Sequence, residues 1–447
     1  MRQEADYVLR TVEERGIRFV QLWFTDVLGT PKGFSITPAE LEHVLEEGMT
    51  FDGSAIDGFS RVQEADMLVA PDANTFQILP WQVDDAPVAR MVCDILNPDL
   101  SPFEGCPRHV LRKALRRANE RGYKFFAAPE IEYFYFASDS LTGEHGVRPI
   151  PLDSGSYFDL TVTDLATELR KRTVLTLEDM GIPVEHTQHE DAPSQHEIDL
   201  RYTDALTMAD TIMTVRLIVK GLANEQGVHA SFMPKPMTNQ QGSGMHTHFS
   251  LFKNEENAFS DPDDEYGLSE VAKKFIAGVL YFAPEITAVT NQWVNSYKRL
   301  VPGYEAPVNV SWARNNRSAL VRVPVVRDGI ADAARIEYRA PDAACNPYLT
   351  FALILEAGLK GIEDGLVLPE EAVTNLYKIS HGHTSDDHRQ LPGDLQAAVD
   401  LMEKSELAAN VLGEHVFEWF IKNKRSEWAG FAEQVTHYEL ERYLPSL

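Results

Sequence analysis

The run Ala128-Pro129-Glu130-Ile131-Glu132-Tyr133-Phe134-Tyr135 sets carboxylates between apolar and aromatic residues at a spacing of two. That is the period of a strand rather than of a helix. On a strand Glu130 and Glu132 share one face, about 7 Å apart, while Ile131, Tyr133 and Tyr135 take the other. Two carboxylates in so hydrophobic a strand lose hydration and repel each other, which is unfavourable unless a cation neutralises them. Divalent metal ions meet that need; a buried salt-bridged pair is the competing explanation.

The same rhythm recurs elsewhere. Glu190 ends the histidine-rich strand Glu185-His186-Thr187-Gln188-His189-Glu190, and Glu197 begins the next strand after a turn at Ala192-Pro193-Ser194. Hairpin geometry would bring these carboxylates together, and a solvated loop would also account for them. His246 and His248 are again i and i+2, on a strand entered from Gly242-Ser243-Gly244. A hydrogen-bonded structural histidine is the plainer reading of each. Arg335-Ile336-Glu337-Tyr338-Arg339 places two arginines and a glutamate on one strand face, either as a structural ion network or as a site for metal and phosphate together.

Taken jointly, these pieces describe a pocket holding two or more hard cations beside several arginines, which suits phosphoryl transfer from a nucleotide. The segment from Asn295 to Pro307, with Arg299 and Glu305, has the composition of a functional loop, and Arg317 and Arg322 follow shortly after. No Gly-x4-Gly-Lys-Ser/Thr loop occurs, so metals and arginines would have to hold the nucleotide.

Charge narrows the partners. With 41 basic against 68 acidic residues the chain carries a formal net charge of -27, which opposes binding to nucleic acid or anionic membranes. Three widely spaced cysteines, Cys93, Cys106 and Cys345, fit neither a zinc motif nor a disulfide framework and suggest a reducing compartment. The first residues read as a charged helix rather than a signal peptide, and no apolar run approaches the roughly 18 residues of a membrane span. A cytoplasmic protein is expected.

The 447 residues allow two or three domains. Strands at 18–25, 32–36, 67–70, 76–80 and 89–95, with a helix opened by Thr37-Pro38 and ending near Gly48, predict a small mixed domain. Asn97-Pro98-Asp99-Leu100-Ser101-Pro102 reads as a linker, placing the domains at 1–103 and 104–447. Helices are predicted over 107–122, 203–226, 265–283, 347–364 and 405–423, and a surface loop over 375–394.

At these residues the chain resembles type I glutamine synthetases, nearly end to end. The strongest matches are Phe51-Asp52-Gly53-Ser54, Pro129-Glu130-Ile131-Glu132, Phe232-Met233-Pro234-Lys235-Pro236, Gly242-Ser243-Gly244-Met245-His246, Asn295 to Pro307, Asn316-Arg317-Ser318-Ala319 and Asn346-Pro347-Tyr348-Leu349. The resemblance implies an α+β fold, with an N-terminal β-grasp-like domain followed by a catalytic domain built on a curved antiparallel sheet. It also implies a dodecamer of two hexameric rings with active sites shared between neighbours.

By that resemblance Glu132, Glu190 and Glu197 bind one divalent metal, and Glu130, His246 and Glu337 a second. The ions are Mg2+ or Mn2+, two or three per site. Arg299 holds the α-carboxylate of L-glutamate, with Gln241 and the Gly242 backbone near its amino group. Arg317, Arg322, Arg335 and Arg339 steer the phosphoryl group of ATP, and His248 lies near the nucleotide. Glu305 belongs to a flap that closes over the intermediate, and Asp52 attracts and deprotonates ammonium from the neighbouring subunit.

Three positions depart from the family pattern: Ala55 where a second serine is usual, Gln241 where asparagine is usual, and Ser194 where glycine is usual. Neutral drift within an ordinary glutamine synthetase is one explanation. The other is an organic amine as nucleophile, as in γ-glutamyl-polyamine synthetases that use putrescine or spermidine, with Ala55 admitting the alkyl chain. A non-catalytic structural relative is a further alternative. Tyr377 occupies the position resembling the adenylylated tyrosine of some members, although a plain loop tyrosine explains it as well.

Overall fold

The computed structural model describes residues 2–56, 66–83, 86–138, 147–160, 165–325, 333–373 and 389–447. Tyr377, singled out above, and the Ala55 side chain lie outside what is described.

The N-terminal region runs α1 (Arg2–Glu14), β1 (Phe19–Thr25), β2 (Pro31–Ile36), α2 (Leu41–Glu47), β3 (Met49–Asp52), β4 (Asp66–Pro71), β5 (Gln77–Val83) and β6 (Ala86–Leu96). Its sheet has the order β2-β1-β6-β4-β3, with β5 also on β6. β1 and β6 are parallel. The β1–β2 hairpin closes on Asp26, whose Oδ1 accepts from the backbone N–H groups of Leu28 and Thr30. Thr37 and Pro38 open a short 3-10 turn that leads into α2, and Gly48, at φ +75°, ends that helix. The left-handed conformation explains the glycine there.

The larger region contains α3 (Pro107–Glu120), β7 (Lys124–Ala137), α4 (Leu165–Asp179), β8 (Val184–His189), β9 (Gln195–Leu200), β10 (Thr203–Asp204), α5 (Ala205–Glu225), β11 (Val228–Ser231), β12 (Met245–Lys253) and β13 (Glu256–Asn257). It continues through α6 (Glu270–Thr290), α7 (Ser296–Arg299), β14 (Asn309–Ala313), β15 (Ala319–Arg322), β16 (Ile336–Tyr338), α8 (Pro347–Glu363), α9 (Leu395–Met402), α10 (Glu406–Ala432) and α11 (His437–Tyr443). Its sheet order is β14-β15-β16-β12-β7-β9-β8. The ladders are antiparallel except for β14 with β15, which run parallel. Ile131, Tyr133 and Tyr135 are fully buried in the core, as the alternation along β7 requires.

Two helices outrun their predicted ends. α6 continues through Pro284 to Thr290, because Ile286 and Val289 keep its apolar stripe packed. α10 continues past the polar stretch near 423, bending at Gly413 (φ +76°). Lys424, on this extension, is buried against Glu427 and the face of Trp293.

The two regions interlock through polar contacts. Asn346 donates to the carbonyl of Val27, Gln292 to that of Leu28, and the buried Arg108 joins Asp72 and Asp94 to Asp210 on α5. A buried arginine shared by three carboxylates fixes the orientation of the first sheet against the second, since removing either side leaves buried charge uncompensated.

Candidate active site

One face of the larger sheet gathers nearly all the candidate ligands, and strand register does the gathering. Glu197 on β9 lies opposite Glu132 on β7, and Asp199 opposite Glu130. Glu130 in turn faces His246 on β12. His248 faces Glu337 on β16, and Glu337 faces Arg322 on β15. Because alternate residues share a face, five antiparallel strands present one continuous acidic and basic surface. Glu190, one residue beyond β8, joins through Gln188, whose Nε2 donates to Glu190 Oε1 (3.0 Å) and Glu197 Oε1 (2.8 Å).

The surface has two electrostatic halves. In one, burial raises the Glu130 carboxyl, but hydrogen bonds from His246 and His248 outweigh it and hold the group well below its ordinary range. Glu337 is fully buried yet also lowered, because Arg339 and His248 offset its desolvation. Both Arg322 and Arg339 donate to it. Burial, with Arg339 nearby, pushes the His246 imidazole down to about 4, so the ring is neutral at physiological pH and offers a lone pair.

In the other half, cations are scarce. Burial and the repulsion of Glu132 push Glu190 up to about 8. Burial and Glu130 do the same to Asp199, also to about 8. Glu197 is raised well above its ordinary value by burial and then by Asp199, Glu132 and Glu190. Glu132 is raised by burial, although Arg299 and the Gly244 N–H, 2.9 Å from its Oε2, oppose this. A cluster of desolvated, mutually repelling carboxylates fits a bound divalent cation, whose charge would let all of them ionise. Ligand atoms of His186, Glu197 and Asp199 lie within 4.8 Å of one another, as do those of Glu130, His248 and Glu337.

The surrounding contacts set orientation. His248 Nε2 lies 2.7 Å from Glu130 Oε1, and its Nδ1 receives the Arg335 Nε–H at 3.3 Å. Arg335 can only donate, so His248 Nδ1 is the acceptor in that contact. His189 has an acceptor at each ring nitrogen, the Glu190 carbonyl at 2.6 Å and Asp153 Oδ1 at 2.9 Å. Burial lowers this imidazole, but those two partners prevail and the net shift is upward. It thereby ties the Glu190 backbone in place.

Arg299, on α7, is buried and donates to the carbonyls of Ala340 (2.7 Å) and Arg339 (3.2 Å). The loop opposite must be glycine: a Cβ on Gly244 would fall 2.5 Å from Arg299 Nη2, and one on Gly242 would fall 2.3 Å from the Pro234 carbonyl oxygen. Gln241 is half-buried beside them. Glu305 lies on the loop after α7, 3.7 Å from Arg317. A cavity of about 310 Å³ opens beside the sheet face, lined by Phe126, Glu130, Asp199, Tyr202, His248 and Arg335 among others.

Asp52 is placed elsewhere. It ends β3 at the edge of the N-terminal sheet, where its Oδ1 accepts from the Ser54 N–H.

Comparison with known proteins decides the family. The model of the glutamine synthetase catalytic domain matches residues 104–443, and that of the glutamine synthetase β-grasp domain matches residues 16–98. The chain belongs to the glutamine synthetase family. A glutamine synthetase of Mycolicibacterium smegmatis is 53% identical over 447 residues, covering 99% of this chain and 100% of the relative. One from Thermotoga maritima is 46% identical over 98% of both. Among solved structures, a GmaS/ADP complex superposes with a TM-score of 0.86 at 32% identity, covering 98% of this chain and 99% of the other. Plasmodium falciparum glutamine synthetase superposes with a TM-score of 0.86 at 25% identity, over 98% of each chain.

Several residues of this glutamine synthetase relative escaped sequence reasoning. Asp199 was legible in principle, since Glu197-Ile198-Asp199 repeats the alternation of β7. Gln188, Gln195 and Asp153 carried no signal, because amides and single carboxylates acquire their roles only from neighbours. Gln195 Nε2 donates to both Glu132 Oε2 (3.0 Å) and the Gly242 carbonyl (3.1 Å), joining the acidic face to the glycine loop.

Proposed function

We propose that this chain is an ATP-dependent glutamate–ammonia ligase, which activates the γ-carboxylate of L-glutamate as an acyl phosphate and amidates it. The observation that carries this reading is the single sheet face on which Glu197, Glu132, Glu130, His246 and Glu337 meet across four adjacent strands. A structural protein has no use for so many carboxylates gathered on one buried face.

Glu132, Glu190 and Glu197 would hold one divalent ion, and Glu130, His246 and Glu337 another. Bound Mg2+ or Mn2+ would offset the negative charge of the nucleotide phosphates and the transferring group. The imidazole of His246 is compatible with manganese. Arg299 is the cation for the α-carboxylate of glutamate, beside Gln241 and the Gly242 backbone. Arg339 and Arg322, anchored on Glu337, with Arg335 and Arg317, face the phosphoryl group. The cavity beside Phe126, Tyr202 and His248 suits the nucleotide base and sugar, an apolar wall with a few polar groups.

A carboxylate has a poor leaving group at neutral pH, so phosphorylation must come first. Ammonia then displaces phosphate, and ammonium must lose a proton before it has a lone pair. Asp52 is proposed for that step. Its place on the edge of the N-terminal sheet supports a site completed by a neighbouring subunit, in a dodecamer of two rings. So does α11, which buries no residue and exposes Tyr438, Leu440 and Tyr443 in a single chain. Glu305 closes the site and shields the acyl phosphate from water. The domain division is proposed at 103/104, between β6 and α3, and three free, buried cysteines support a reducing, cytoplasmic setting.

An organic amine in place of ammonia is not favoured, because full-length relatives at 46–53% identity are named glutamine synthetase. Phosphate release measured with ammonium, putrescine and spermidine in parallel tests the reading. Turnover with ammonium and formation of glutamine are expected; turnover confined to the polyamines would overturn it.

A further inference from the structure

The loop from Val301 to Pro307 carries Glu305, which lines a cavity together with Arg314, Asn316 and Arg317. The loop is conformationally unusual, with Gly303 at φ +96° and Glu305 at φ +45°, and Pro302, Gly303 and Glu305 are exposed. A side-chain residue at positive φ is strained, so contacts outside the loop must hold this shape. Glu305 has Arg317 at 3.7 Å. The residue before it, Tyr304, has a contact of a different kind.

Lys235 places its Nζ 3.6 Å from the centroid of the Tyr304 ring. The lysine is itself tightly fixed. Its N–H donates to Asn295 Oδ1 (2.7 Å), the Asn295 amide donates back to its carbonyl (3.0 Å), and its Nζ donates to the carbonyl of Gln240. Tyr304 Oη also reaches Asn239 Oδ1 at 3.4 Å. Asn239 and Gln240 lead directly into Gln241 and Gly242. The Lys235 side chain thus lies between the loop that meets Arg299 and the loop that carries Glu305. Burial, with Arg299 nearby, pushes the Lys235 amine down to about 8, and the negative face of a tyrosine ring is favourable for a cation so placed.

We propose that Lys235 and Tyr304 form a latch that holds the Val301–Pro307 loop closed while the acyl phosphate exists, making Lys235 a positioning residue for the coupling of the two half-reactions. The inference rests on the ligase reading above. When the latch is weakened, water reaches the acyl phosphate, attacks its carbonyl carbon and expels phosphate, regenerating glutamate. ADP and phosphate then form without glutamine.

The test is the ratio of glutamine formed to ADP released, at saturating ammonium, in Lys235→Met, Lys235→Arg and Tyr304→Leu. Wild type is expected near one to one. Lys235→Met and Tyr304→Leu are expected to release severalfold more ADP than glutamine, while Lys235→Arg, which keeps a cation over the ring, stays near wild type. Tyr304 sits on a surface loop, so a tightly coupled Tyr304→Leu enzyme overturns the latch whatever Lys235→Met does. Equal loss of ADP and glutamine in both variants also overturns it, since that outcome reports a structural role alone. Wild-type protein that forms no glutamine from glutamate, ammonium and ATP would instead sink the ligase reading.

Discussion

The carboxylate of Glu130 holds both imidazoles of β12, with His248 Nε2 2.7 Å from Oε1 and His246 Nδ1 3.3 Å from Oε2. One residue therefore orients a candidate metal ligand and a candidate nucleotide neighbour together. Glu130→Ala should lower kcat by at least about 10²-fold, the scale of losing one preorganised electrostatic group. It should also weaken cation binding, read by Mn2+ titration with paramagnetic resonance. Full Mn2+ affinity in this variant would remove Glu130 from the metal set.

The acidic half of the site predicts an unusual pH dependence without metal. Glu190 and Asp199 are raised to about 8 in the folded protein, above the ordinary carboxylate values. The folded state then binds more protons than the unfolded one between roughly pH 4 and 8, so metal-free stability is present at the acid end and lost as pH rises through 8. Melting temperature in EDTA should fall across pH 5.5–8.5, and Mn2+ or Mg2+ should flatten the slope. A slope unaffected by metal would contradict cation binding at these carboxylates.

Arg299 is buried with backbone carbonyls around its guanidinium, a geometry a lysine amine does not reproduce. Arg299→Lys should raise the KM for glutamate on the order of 10- to 100-fold, the worth of a charge-assisted hydrogen bond, and leave the KM for ATP nearly unchanged. Steady-state kinetics with each substrate varied separately checks the split.

Ser194 sits at φ +59°, which explains why glycine suits this position, yet its Oγ accepts from the N–H groups of Leu152 (2.6 Å) and Asp153 (2.9 Å). Ser194→Ala keeps the strained backbone and loses both bonds, at a cost of about 1–3 kcal/mol. Ser194→Gly loses the same bonds but regains about 1 kcal/mol of backbone strain. Thermal melts should therefore rank serine above glycine and glycine above alanine. Alanine melting above glycine would show that the backbone term is misjudged.

The proposed completion of each site by a neighbouring subunit predicts complementation. Asp52→Ala and Glu337→Ala subunits, each nearly inactive alone, should recover activity when dissociated and reassembled together, because some interfaces then pair an intact Asp52 with an intact Glu337. Mixtures no more active than their parents would place both residues in one subunit's site.

Much of this was legible along the chain because strand alternation is local. The period of two in Glu130-Ile131-Glu132 and His246-Thr247-His248 fixed which residues share a face, and Gly242 and Gly244 marked a close backbone approach. Helix ends were less legible: Pro284 looks like a breaker until the packing around Ile286 is seen to compensate for it, and the extension of α10 past 423 rests on tertiary contacts such as that of Lys424 with Trp293.

Register, by contrast, is a property of paired strands, and it alone sets Glu130 between Asp199 and His246. The division into a compensated half and a carboxylate-crowded half depends on which charges end up within a few ångströms in low dielectric, and residue spacing does not encode that. The contact of Lys235 with Tyr304 belongs to the same class. The sequence determined the residue types and the faces they share; only the tertiary structure decided which charges meet, because electrostatic energy depends on separation and burial rather than on order along the chain.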